Sequence, residues 1–510
     1  MKKQLTCVKP SLLTSFIAIT LAGCSIAPQP LSKDAIRSQA ATDLSVLVGE
    51  QKDIVKVDIN QAIARALKHN RERKLKTLEG VLAQGQLDVS NFDMLPQLTA
   101  SAGYSERDSY AASASTTFAN GIPNPLPASP TYSVSQDKSR NNNSVVFSWN
   151  VLDFGLSYVR AKQQADRYLI AKERERKVIH NIIQDVRSSY YRAVSAERLL
   201  SKIEPMLSDA KAALSDANQI EKLQAKSPMD ALSYQRELLE VQRTLQSLRS
   251  DLITAKTELS TLMGLKPGQK FDLVDVSQPN FSVPNVTLGI EAMEKTALEK
   301  RPEILEGNYN RRISAEEARA ALLSLLPGIS LNYGSYYDDT RYLRNNDWTG
   351  AGATVSWNLF NVFKADDITK LADMKKDVAE EQALATSIAV LSQVHMANIK
   401  FIESKKGYEL ANDYLNVAQR IGDQVKVAQA AQRAGKLELI REGLNQLLAE
   451  LRRDVAYADL QNSYGRVFVS MGLDPVSEGF SKDDTDTIAK AIAGNYRDWA
   501  AGKLDTNAAK

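Results

Sequence analysis

Apolar residues recur along this chain in two different rhythms. In the first, every second position is apolar. Leu98, Ala100, Ala102 and Tyr104 alternate with Gln97, Thr99, Ser101 and Gly103. Val145, Phe147, Trp149 and Val151 alternate with Ser144, Val146, Ser148 and Asn150. The same rhythm returns later, with Ile329, Leu331 and Tyr333 set against Ser330, Asn332 and Gly334. It returns once more in Ala351, Ala353, Val355, Trp357 and Leu359, set against Gly350, Gly352, Thr354, Ser356 and Asn358. Period two predicts strands with one apolar and one polar face. Runs of about 10 residues match the length of strands that cross a bilayer in a barrel.

The second rhythm steps by three and four. Ile182, Val186, Ser189, Ala193, Ala196 and Leu200 begin a seam that continues to Ala217, and Leu238, Val241, Leu245, Leu248 and Leu252 begin another that continues to Leu262. Such a seam predicts helices packed as coiled coils. It runs through Pro205, which predicts a kink there and not an end. A helix from Tyr158 to Lys226 would be about 105 Å long at 1.5 Å per residue. That length suits a tube across a periplasm better than a compact globule. Ser227-Pro228-Met229-Asp230 reads as an N-cap followed by proline at the first helical position, and so as a hairpin turn.

The chain is two copies of one unit. Ala66-Leu67, Glu72 and Leu95-Pro96 recur 231 residues later as Ala297-Leu298, Glu303 and Leu326-Pro327. Ser148-Trp149-Asn150 recurs at an offset of 208 as Ser356-Trp357-Asn358, and Met263-Gly264-Leu265 recurs at the same offset as Met471-Gly472-Leu473. The first copy therefore carries 23 extra residues between Tyr104 and Ser148, within a Ser-, Asn- and Pro-rich segment, 109–143, of loop composition. Each copy reads as helix (about 59–93 and about 288–325), two strands, long helix and returning helix. Gln432 to Glu438 is the second copy's hairpin turn. The predicted organisation is a targeting segment over 1–23, a linker over 24–56, the first repeat over 57–267, a linking segment over 268–287, the second repeat over 288–475 and a polar tail over 476–510.

The N-terminus adds an address. Lys2, Lys3 and Lys9 precede a short apolar run, Leu12 to Ala22, too short to span a bilayer. The junction Leu21-Ala22-Gly23-Cys24 resembles a bacterial lipobox, which implies cleavage between Gly23 and Cys24 and lipidation of Cys24. Ser25 then favours the outer membrane. The net charge of +3 is carried by those three lysines, so the remainder balances at zero and offers no electrostatic case for nucleic acid. The two cysteines and three histidines sit at no metal or redox spacing, and no phosphate loop or nucleophile motif is present. Neither cofactor, metal nor enzymatic activity is expected.

Lipobox, repeat, paired strands, long heptad helices and Leu-Pro junctions together resemble the TolC-like outer-membrane efflux and secretion channels over residues 57–475. The resemblance implies a mainly α fold with a membrane β-barrel, in which helical hairpins form a trimeric α-barrel tunnel. Four strands per chain would pool into a 12-stranded barrel. Elementary chemistry requires that pooling, because open sheet edges are not tolerated in lipid and four strands enclose no pore. The implied partners are two further copies of the chain, outer-membrane lipid, a periplasmic adaptor protein and an inner-membrane pump of the RND or ABC type. Trp149 and Trp357, at equivalent strand ends, are candidates for an aromatic membrane belt. Asp230, Asp423, Glu438 and Glu442, with Arg433 and Arg441, are candidates for a periplasmic gate. The tip residues Ala225, Lys226, Ser227, Gly435, Lys436 and Leu437 are candidates for adaptor contact. The competing expectation is a lipid-anchored periplasmic coiled-coil scaffold without channel activity, which leaves the paired strands unexplained.

Overall fold

A computed structural model describes residues 29–49, 56–222, 228–266, 269, 271–274, 281–477 and 479–504. The Gly23-Cys24 junction and the first-hairpin tip Ala225, Lys226 and Ser227 lie outside the described residues. Contacts divide the chain into two units, 1–54 and 55–510. Among its described residues is the helix α1 (Lys33–Gly49), within the segment expected as a linker.

In the second unit a short strand β1 (Lys56–Val57) leads into α2 (Ile59–His69) and α3 (Arg71–Phe92). The first repeat continues with β2 (Gln97–Glu106), the short strands β3 (Ala112–Ser113), β4 (Phe118–Ala119), β5 (Ile122–Pro123) and β6 (Ser133–Val134), then β7 (Ser139–Asn150). The long helix α4 (Val151–Lys222) and its return α5 (Pro228–Leu262) follow. After β8 (Asp272–Leu273), which pairs in parallel with β1, the second repeat supplies α6 (Ile290–Lys300), α7 (Pro302–Leu323), β9 (Gly328–Asp338), β10 (Asp347–Ser356), α8 (Asn361–Ala430) and α9 (Lys436–Ser470). The last helix is α10 (Thr485–Ala500). The bounds of α2 and α3 recur in α6 and α7 at an offset of 231, and those of α5 recur in α9 at 208.

The single helix expected over 59–93, and its copy, are each two helices. Asn70 is extended (φ −64°, ψ 127°), and its side chain accepts from the amides of Glu72 and Arg73 at 2.9 and 3.2 Å. It therefore starts a new helix where the old one ends. In the second copy Pro302 performs the same task, since proline drives the residue before it out of the helical region. Asp58 and Gln61 form a capping box at the start of α2. Pro205, by contrast, lies inside α4, which continues for 72 residues, about 108 Å at 1.5 Å per residue. Residues 109–143 are not a plain loop: β3 pairs with β6 and β4 with β5 across an Asn120-Gly121 turn with both φ values positive, as a two-residue hairpin requires.

The expected polar tail is also corrected. Ile488, Ile492, Tyr496 and Trp499 are buried on one face of α10, which packs against α2 and meets Phe468 of α9. Lower in the bundle a continuous apolar cluster runs through α4, α5 and α9, including Leu199, Ile203, Leu238, Leu245 and Leu447. Its frequent alanines, such as Ala210, Ala213 and Ala217, allow close helix approach.

Candidate channel wall and tunnel tip

Four long strands form one antiparallel sheet in the order β10-β9-β7-β2. The register separates two chemistries. Leu98, Phe147, Tyr333 and Ala351 stand side by side on one face, with Trp149, Leu331 and Ala353 in the next row. This apolar face is exposed, Leu98 at 71% and Val355 at 68%. On the other face Gln97, Ser148, Asn332 and Gly352 form one row and Ser101, Ser144, Tyr336 and Trp348 another. Ser101 and Ser144 share a hydroxyl hydrogen bond of 2.7 Å. A sheet with a wet face and a bare apolar face is inverted relative to a globular protein; it matches a barrel wall between lipid and water. Within the chain, β2 and β10 each pair on one side only.

Each of the four sheet strands joins a helix at one of its ends. β7 is followed at once by α4, β10 is followed by α8, and α3 and α7 feed β2 and β9. The same arrangement occurs in solved outer-membrane channels. The Campylobacter jejuni CmeC outer-membrane channel superposes with a TM-score of 0.64 over 85% of this chain and 89% of that one, at 16% identity. CusC does so with a TM-score of 0.61 over 84% and 96%, again at 16% identity. The fold is TolC-like. In sequence, the chain is 24% identical over 393 residues to a probable outer-membrane lipoprotein, SilC of Salmonella typhimurium, covering 72% of this chain and 78% of that protein. It is 23% identical over 336 residues to the cation efflux system protein CusC of Escherichia coli K12, covering 63% and 67%. No protein-family model matches the chain.

Both belt candidates sit at the end of the TolC-like sheet that meets the helices. Trp149 packs edge-on against Phe154 with ring centroids 5.8 Å apart. Trp357 follows β10, and its indole N–H donates to the Leu325 carbonyl at 2.9 Å. At the opposite end of the sheet Tyr336 and Trp348 stack at 5.6 Å and 15° on the polar face. Gly334 and Gly350 leave room for the tyrosine ring, which a Cβ at Gly334 would meet at about 3.0 Å. Sequence reasoning missed this pair, although the small-residue alternation around it is visible.

At the helical tip the gate candidates do not gather into one cluster within a chain. Arg441 and Glu442 meet at 3.6 Å, and Arg441 also reaches Glu237 at 3.5 Å. Asp423 pairs with Lys426 one turn away, at 3.2 Å. Asp230, Arg433 and Glu438 are exposed. Lys436 reaches Asp216 at 3.1 Å, and Leu437 packs onto the apolar cluster of the first hairpin. The tips of the two hairpins are thus tied by Lys436–Asp216 and Arg441–Glu237, and neither acid was anticipated. Gln432 occupies the turn at φ +59°, while Gly435 is an ordinary extended N-cap.

Two ionic clusters, one buried and one half-buried, lie between α4 and the second repeat. In one, Asp454 accepts from Ser195 at 3.0 Å and Arg453 at 2.8 Å and pairs with Arg198, and Glu450 holds Lys202 at 2.6 Å. The Arg453 and Arg198 guanidinium groups lie 3.8 and 5.6 Å from the Phe281 ring. In the other, Asp474 accepts from His180 at 2.8 Å and from Arg176 at 3.0 Å, and Arg176 also pairs with Glu173. Burial pushes Glu173 up despite Arg176, and it pushes the Tyr464 phenol up to about 12. These clusters fix helices to one another; among the described residues, no group of His, Cys, Asp and Glu is placed to hold a metal ion.

Proposed function

We propose that this chain is the outer-membrane duct of a tripartite export system. Three copies conduct cargo passively from an inner-membrane pump and a periplasmic adaptor to the outside. The observation that carries this reading is the sheet: its exposed face is apolar, its other face is polar, and it has two unpaired edges. An edge in lipid costs several kcal/mol per unsatisfied group. β10 and β2 run antiparallel in the alternation, so β10 of one copy can pair with β2 of the next and close a ring of 12 strands. A periplasmic scaffold has no use for such a sheet.

In this reading Cys24 carries the lipid anchor, Trp149 and Trp357 lie at the inner boundary of the membrane, and Gly435, Lys436, Leu437 and the first-hairpin tip meet the adaptor. Asp230, Asp423, Glu438, Glu442, Arg433 and Arg441 supply the charge at the periplasmic constriction. Two relatives named as cation efflux proteins make metal cations the first cargo to test. The experiment compares a deletion strain with its complemented parent across metal cations, dyes and drugs. Hypersensitivity to a cation that complementation reverses is the expected result. A profile that stays flat for small molecules while an exported protein or polysaccharide is lost would move the cargo to type I secretion.

A further inference from the structure

The polar face of the sheet carries two large rings that its chemistry does not call for. Ser101, Asn142, Ser144, Asn332, Gly350 and Gly352 are residues of the kind that line a water-filled barrel. Tyr336 and Trp348 stand among them, as cross-strand partners at the end of β9 and β10 away from the helices. Large rings in a membrane barrel belong to belts on the lipid side. Trp348 is on the opposite face and is 45% exposed.

The repeat supplies an internal comparison. It carries Tyr336 back to Ser105 and Trp348 back to Arg140, and those two residues are cross-strand partners in the first copy. The first copy thus has a small hydroxyl and a guanidinium, which reaches Asp338 at 3.7 Å, where the second has two rings. The second copy's strands are trimmed to hold them. A Cβ at Gly334 would lie 2.9 Å from the Tyr336 hydroxyl and 3.0 Å from its ring, and one at Gly350 would lie 3.6 Å from the ring. The phenol therefore rests along the wall over two glycines, and Trp348 stacks on it at 5.6 Å and 15°. Covering glycine backbone accounts for the tyrosine. It does not account for the indole, which lies on the tyrosine and leaves much of its own surface open.

The assembled-channel reading above puts this face in the lumen and sets β2 of the next copy beside β10. Beyond Gln97, the residues β2 offers on this face are Thr99, Ser101, Gly103 and Ser105, all too small to cover an indole. We propose that Tyr336 and Trp348 form a binding site for an organic cation in the outer part of the lumen, one site in each copy. The inference rests on that reading. Indole is the aromatic side chain whose face attracts a cation best, and stacking on a pinned tyrosine fixes its plane. Arg140 is the one basic residue of the four long strands, and Asp338 neutralises it, so no free positive charge on the strands opposes the ligand.

The test titrates full-length protein, purified from membranes in detergent, into ethidium and reads fluorescence anisotropy. The parent should bind saturably. Tetrabutylammonium should displace the dye, and sodium chloride at equal ionic strength should not, which separates ring–cation contact from screened charge attraction. Trp348→Ala should raise the dissociation constant about fivefold or more, while Trp348→Phe stays near the parent. Gly334→Ala keeps both rings but pushes the phenol off its bed, so it should weaken binding too. A native trimer that binds no dye, or a Trp348→Ala trimer that binds it like the parent, overturns the site and leaves the channel reading standing. A parent that is monomeric by light scattering overturns both. Should Trp348→Ala fail to assemble, Gly334→Ala decides, and parental affinity there overturns the site.

Discussion

Gly472 and Gly264 hold the two repeats to their short helices by having no side chain. Gly472 sits at φ +72°, and a Cβ there would lie 2.6 Å from the Arg301 amide nitrogen; Gly264 sits at φ +69° with the His69 Cβ at 2.8 Å. Both therefore abut the breaks at Asn70 and Arg301 that split the expected helices. Gly472→Ala combines a left-handed backbone with a clash against main chain, so a loss of about 2 kcal/mol or more is expected. Gly435→Ala is the control: its φ is −81° and its surroundings are open, and the change should stay within about 0.5 kcal/mol. Denaturation midpoints of the purified protein compare the two. A pH effect belongs at the same scale. Burial works to raise the Asp474 carboxyl, but His180 and Arg176 outweigh it and hold the group below the usual carboxylate range. A depressed folded pKa stabilises the fold above the unfolded value and is lost as pH falls through the folded one. Asp474→Asn should therefore be less stable than the parent at neutral pH, and the gap should close below about pH 4. A gap that persists unchanged at lower pH would count against the ionised carboxylate as its source.

Among the elements, α10 is the one whose role was least expected. Its apolar positions, Ile488, Ile492, Tyr496 and Trp499, recur at helical spacing, so the signal was present in the sequence. It was diluted by an Ala-rich, charged surrounding. Trp499 is 2% exposed and packs on Phe468 and Tyr496, with centroids 5.6 and 5.2 Å away. Trp499→Ala should cost about 3–5 kcal/mol, read as a lowered thermal midpoint. Had α10 been a solvated tail, the substitution would be silent. The strands and the long seams were legible because periods of two and about 3.6 survive without knowledge of neighbours. So was the continuation of α4 through Pro205. The helix breaks were less so, since Asn70 as a cap depends on a local turn that competes with an unbroken amphipathic pattern. The buried pairs Arg198–Asp454 and Lys202–Glu450 join residues some 250 positions apart, and charge alone gave no partner. At the tip the same limit applied: Lys436 and Arg441 were picked out, but Asp216 and Glu237, which hold them, were not.

For the whole molecule, α4 and α7 are joined by ion pairs within the chain, while the repeat-related faces of α8 and α3 are exposed and apolar. Salt separates the two kinds. Screening lengths fall from about 10 Å at 0.1 M salt to about 3 Å at 1 M, which weakens exposed ion pairs. Apolar contact is not weakened by that screening. If Met374, Leu371 and Val378 face Val81, Leu78 and Leu82 of a neighbour, the native assembly in detergent should keep its mass between 0.1 and 1 M sodium chloride. A Met374→Asp, Val81→Arg variant replaces part of that apolar contact with the ionic chemistry of the internal one. Its assembly should therefore loosen over the same range, as measured by light scattering after size exclusion. Dissociation of the parent at high salt would place the ionic contacts between copies instead. Arg174–Glu306 and Lys162–Glu316 lie along α4 and α7 within one chain, so charge fixes the two halves of a copy to each other.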